Sequence, residues 1–219
     1  MKIQRIILLF VLTLTGCGLL SSKPTIFDSS PCKAPCWQNV TPDITTEQDA
    51  LAIFPMLADG NKVNVTHDSY SGGYDDEIVF VSASSRGLVS AYISDGRISM
   101  MEFFGNSGDD FTLKHAIELF GEPENVLVEI LGDLSRVTLF NLNKGIAFGW
   151  IDKDIVSGNG EINPDQAIEL VWFFNPNRSD LFLNNKYGGL GNEVIKHFHP
   201  WIGYGKISDK YWPPETLSP

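Results

Sequence analysis

The chain predicts an α+β protein of two tandem α-β-β-β repeats, with antiparallel sheets each covered by a helix. Three observations predict it. Two short amphipathic segments share a pattern of Thr, Ala and Phe, each is followed by three strand-like runs, and the order recurs after roughly 60–70 residues. An isolated three-stranded sheet is marginal, so the two units are expected to pack together or to extend one sheet.

The first helix is expected over Thr46-Glu47-Gln48-Asp49-Ala50-Leu51-Ala52-Ile53-Phe54, with Thr45 and Gln48 as a capping box and Pro55 as its stop. Ile78-Val79-Phe80-Val81 and a run from Gly87 to Ile93 then read as strands. Ser94-Asp95-Gly96 turns the chain into a third strand ending at Phe103-Phe104.

The second helix reads Thr112-Leu113-Lys114-His115-Ala116-Ile117-Glu118-Leu119-Phe120. Leu113, Ala116, Ile117 and Phe120 share one face, Thr112 suits an N-cap, Gly121 suits the C′ position, and Pro123 forbids continuation. Val137-Thr138-Leu139-Phe140, a run from Gly145 to Ile151 and a run from Ile168 to Phe174 are its strands. The aligned positions pair Gly87 with Gly145, Tyr92 with Trp150, Ile93 with Ile151, and Phe103-Phe104 with Phe173-Phe174.

Lys2 and Arg5 precede an apolar run over residues 6–14, the layout of a secretory signal peptide. The run is shorter than the roughly 20 apolar residues of a membrane span. Leu14-Thr15-Gly16-Cys17 resembles the lipobox of bacterial lipoproteins, in which the cysteine is acylated and begins the mature chain. That resemblance implies lipidation of Cys17, palmitate among its acyl groups, and a protein held to a membrane of the cell envelope, outside the cytoplasm. Gly18 stands where an Asp retains many such proteins at the inner membrane, but the sequence does not choose between inner and outer membranes.

Removal of residues 1–16 takes away Lys2 and Arg5 and moves the formal charge from −11 to −13. So acidic a chain is unsuited to nucleic acid, whose phosphates attract Lys and Arg. A hydrophobic content of 43% is enough for a packed core. The expected organisation is signal peptide 1–16, a tether over 17–36 ending in a Cys32/Cys36 clasp, repeat 1 over 37–106, repeat 2 over 107–176, and an aromatic-rich extension over 177–219.

Three cysteines leave Cys32 and Cys36 as a pair once Cys17 goes to lipid, and an exported setting favours their disulfide. The alternative is a copper or redox pair, since C-x-x-x-C also serves copper-handling thioredoxin-like proteins. Those place it after a strand, whereas Pro31-Cys32-Lys33-Ala34-Pro35-Cys36-Trp37 has none before it.

Other candidate sites are weaker. Residues 152–162 fit no register of a calcium loop and read as an exposed polar loop between strands. His197 and His199 share one side of an extended segment but have no third ligand near them, so no metal or other cofactor is expected beyond the covalent lipid on Cys17. Asp75-Asp76-Glu77 and Asp109-Asp110 suit turns or helix starts, and no pair of acids is singled out for glycosidase chemistry. Trp201, Tyr204, Tyr211 and Trp212 either bury against the second sheet or form a contact surface for a protein or a glycan.

With these residues in view, the chain resembles an uncharacterised family of bacterial envelope lipoproteins with a Pro-Cys-x-x-Pro-Cys-Trp start, helices at 45–54 and 112–123, and Trp201-Ile202-Gly203-Tyr204-Gly205 near the end. More remotely, the segment ending Phe120-Gly121-Glu122-Pro123 is similar to the small lipoprotein subunit of the β-barrel assembly machine, and the tandem layout to β-lactamase inhibitor protein. Both are binding proteins. The resemblance implies a membrane-anchored, extracytoplasmic, non-catalytic interaction module, with an envelope or extracellular hydrolase and a copper or redox handler as the alternatives.

Overall fold

The computed structural model describes residues 25–28, 30–57, 63–66, 76–81, 88–105, 111–155, 157, 159–186 and 191–211. The leader, Cys17 and Trp212 lie outside them. The class is α+β, and of the two expected arrangements, packed sheets or one extended sheet, the strands form one continuous sheet. Its strands are β1 (Val63–Thr66), β2 (Asp76–Val81), β3 (Leu88–Ser94), β4 (Arg97–Phe104), β5 (Asn125–Leu131), β6 (Leu134–Asn141), β7 (Ile146–Asp152), β9 (Leu170–Phe174) and β10 (His199–Pro200). They run in the order β1-β2-β3-β4-β9-β7-β6-β5-β10, every neighbouring pair antiparallel. β8 (Glu161–Ile162) and β11 (Gly205–Lys206) form a separate two-stranded pair. Strands β1 and β5, of four and seven residues, are not among those expected from the sequence.

Sheet continuity comes from β4 and β9, which pair from Met100↔Phe174 to Phe104↔Leu170. Both faces of this centre are covered, which is why β9 reads as the unbroken apolar run Leu-Val-Trp-Phe-Phe. Alternation sends Val171 and Phe173 into the larger core and Leu170, Trp172 and Phe174 into the smaller one.

On the larger-core face lie α1 (Glu47–Leu57) and α2 (Leu113–Phe120). Helix α2 ends as its sequence dictates: Thr112 caps the His115 N–H at 3.4 Å, and Gly121, at φ 87°, donates to the Ile117 carbonyl. Helix α1 differs from expectation at both ends. Its cap is Thr46, whose hydroxyl accepts from the Asp49 N–H and donates to the Asp49 carboxylate, because the Thr45 hydroxyl is taken by the Thr41 N–H. Pro55 lies inside the helix, which runs two residues further, to Leu57.

The other face is covered by α3 (Ser179–Lys186), through Phe182 and Leu183, and by Val194 from a 3-10 turn (Gly191–His197). The C-terminal extension therefore covers both faces, since Ile207 of α4 (Ile207–Lys210) and Tyr211 enter the larger core. The 152–162 loop is not wholly exposed either: Ile155 is buried there with Ile162. Tyr92 and Trp150, aligned in the sequence, face opposite sides of the sheet.

Candidate functional site

The expected tether is folded onto the domain well before Cys36. Phe27 packs against Phe103, Phe111, Phe120 and Phe173 at ring-centroid distances of 5.0, 5.2, 5.5 and 5.8 Å. The buried Trp37 donates its indole N–H to the Ile26 carbonyl at 3.0 Å. Cys32 and Cys36 are joined in a disulfide, Cα atoms 5.7 Å apart, which closes the intervening turn. Bonded to one another, the two sulfurs offer no thiolate to a metal.

Between this clasped segment and the end of α2 lies a cleft of about 500 Å³. Phe27, Trp37, Phe120, Ile146 and Phe173 give it an apolar lining, and the disulfide borders it. Its charged groups are Asp28, Lys33, Glu118 and Lys144. Asp28 is committed: it accepts from the Thr25 backbone N–H at 2.6 Å and hydroxyl at 2.8 Å, and lies 3.3 Å from His115. Partial burial works to raise its carboxyl pKa, but those bonds and His115 outweigh it, and the net shift is downward. Lys144 donates to the Phe120 carbonyl at 3.1 Å, across the C-terminal end of α2 where a cation is favoured. Lys33 and Glu118 are exposed.

Of the expected aromatic contact surface, only part reaches solvent. Tyr204 is exposed and Trp201 half-buried, their rings edge to face at 5.7 Å. Tyr211 is corrected to a core residue: it is fully buried, and its hydroxyl donates to the Gly203 carbonyl at 2.8 Å and accepts from the Ile202 N–H. Burial comes first in raising the Tyr204 pKa, followed by the charges of Glu122 and Glu118.

Two acids inside strands were missed by the sequence reading. Glu102 on β4 accepts from the Trp172 indole N–H (2.9 Å) and the Tyr92 hydroxyl (2.9 Å), and pairs with Lys186 of α3. Glu129 on β5 is 1% exposed and takes both bonds of an Arg136 fork, at 2.7 and 2.9 Å. Burial pushes its carboxyl pKa up despite the guanidinium. A lone acid amid apolar neighbours, as in Met100-Met101-Glu102-Phe103, is the signal that marks both.

Among the described residues, no group of three or more His, Cys, Asp or Glu is placed to hold a metal ion, and no helix is long and apolar enough to cross a membrane. No protein-family model matches the chain, and no curated protein or solved structure is found to be similar to it.

Proposed function

We propose that this protein is a lipid-anchored, extracytoplasmic binding module without catalysis, held to a membrane through acyl groups on Cys17, with the cleft beside the Cys32–Cys36 clasp as its binding site. The observation that carries this is the cleft's composition: an aromatic lining, and charged groups arranged for recognition. Asp28 and Lys144 are tied to the protein's own backbone. The disulfide fits export to an oxidising compartment. Seven residues, 18–24, separate Cys17 from Thr25, a reach of at most about 28 Å.

We also infer that the two halves are tandem copies, each a helix followed by four strands. What supports it is a set of paired positions. The sheet order runs inward as β1-β2-β3-β4 and as β5-β6-β7-β9, with the two last strands meeting at the centre. Thr46 bridges to Arg97 and Thr112 to Ala167, each Thr opening its helix. Ala50 and Phe54 are buried in α1 as Ala116 and Phe120 are in α2.

The test has two arms. Acyl labelling should mark the exported protein and vanish with Cys17→Ser, and a ligand screen should find compounds that slow hydrogen exchange across 27–37 and 118–120. An unlabelled mature chain would remove the anchor, and a full screen with no such protection would remove the site. A second reading, thiol–disulfide exchange, is favoured by one observation, the disulfide's place on the cleft wall. Full oxidation of both cysteines in every growth condition would remove it.

A further inference from the structure

We infer that the cleft takes an amphiphilic anion, an apolar acyl or aromatic body carrying one negative group. The inference rests on the proposal that the cleft is a binding site and names the ligand's chemistry. Its first ground is the lining. Phe27, Trp37, Phe120, Ile146 and Phe173 offer aromatic and aliphatic surface to an apolar body, in a space of about 500 Å³ that suits a small ligand.

Its second ground is charge. Across a chain of net formal charge −11, acids outnumber basic residues 27 to 16, yet this cleft collects two lysines. Of the two acids there, Asp28 is exposed but engaged: it lies 3.3 Å from His115 and accepts two hydrogen bonds from Thr25. Lys33, on the clasp turn, makes no ion pair among the described residues, and Lys144 makes one hydrogen bond to a backbone carbonyl and keeps further donors for a ligand. Glu118 is exposed as well, and is the opposing charge that a substitution can remove. An anionic head between the lysines with an apolar body on the rings satisfies both parts of the site.

Position adds a third ground. Phe27 follows the proposed acylated Cys17 by ten residues, so the site lies within about 36 Å of a membrane surface rich in amphiphiles.

Titration calorimetry on the whole mature chain exported with Cys17→Ser, its disulfide intact, tests this with two probes kept below their micelle concentrations. Dodecanoate should bind one to one and at least tenfold more tightly than dodecyltrimethylammonium. Lys33→Glu should weaken dodecanoate about fivefold or more, Lys33→Ala less, and Glu118→Gln should strengthen it. Lys33 is exposed on a turn, so its variants leave the core intact. Sedimentation with phosphatidylglycerol vesicles separates the sources: co-sedimentation marks a lipid headgroup still in a bilayer, and dodecanoate binding without it marks a free amphiphile.

Equal or tighter binding of the cation, no binding of dodecanoate, or indifference to Lys33→Glu would overturn the inference. If it falls while another compound still slows exchange at 27–37, the cleft stands as a binding site. If none does, both fall.

Discussion

Phe103 and Phe173 stand edge to face, 5.1 Å apart, one on each of the two central strands, and Phe27 packs against both. The joint between the two halves of the sheet is therefore covered by residues from the first described segment of the chain. Trp37 reinforces it at 5.2 Å from Phe103. The segment that leads from the proposed anchor is thus part of the core and also one wall of the cleft.

Phe27→Ala tests that placement. A fully buried Phe→Ala change costs about 3–5 kcal/mol, and for a half-buried ring with four aromatic neighbours about 2–3 kcal/mol is expected. Urea unfolding should show the loss as a lower midpoint at unchanged slope. A loss under about 0.5 kcal/mol would mean that the ring merely rests on the surface.

The clasp makes a second, local prediction. Replacing both cysteines by serine should cost about 2 kcal/mol, the entropy of the short loop that Cys32 and Cys36 close. Hydrogen exchange should quicken over 25–37 and stay slow in β4, β7 and β9, whose bonds do not depend on the clasp. Faster exchange throughout the sheet would show instead that the clasp carries the whole fold.

What could be read in advance follows from periodicity. Thr112, the Leu113/Ala116/Phe120 stripe and Gly121 made α2 plain, since each acts within one turn of chain. Strand β5 was missed although Val126-Leu127-Val128 runs into a Gly132-Asp133 turn before β6, which is a hairpin signal. The Tyr92 alignment failed because it matched aromatic to aromatic by residue type, whereas Tyr92 and Trp150 enter different cores. The cleft was not legible at all. Phe27 sits in a segment without periodicity, and its partners lie on β4, on β9 and at the two ends of the α2 segment, which only the folded sheet brings together.

Two carboxyls predict opposite pH responses. Asp28 has a folded pKa below its ordinary value of 3.8, so its contribution is full above 3.8 and is lost as pH falls through the lower folded value. Glu129 has a folded pKa above 4.5, so folding favours its protonated form, and that contribution is lost as pH rises from 4.5 through the folded value. Urea melts from acid to neutral pH should therefore show Asp28→Asn flattening the acid limb alone and Glu129→Gln flattening the drift above 4.5 alone. The same change in both variants would contradict these environments.

Glu102 makes the strongest demand on the smaller core. Glu102→Ala would leave the Trp172 indole N–H, the Tyr92 hydroxyl and the Lys186 ammonium without their shared acceptor. A loss of about 3 kcal/mol or more is expected, because stranded donors keep their desolvation cost and a stranded ammonium most of all. Lys186 lies 5.1 Å over the Tyr92 ring, which only partly offsets the missing carboxylate. Adding Lys186→Met to Glu102→Ala should then recover stability, since the unpaired charge goes and its aliphatic replacement packs on the same ring. A double-mutant cycle in denaturant measures it: coupling of about 1 kcal/mol or more is expected, and strict additivity would mean that Lys186 reaches water once the carboxylate is gone.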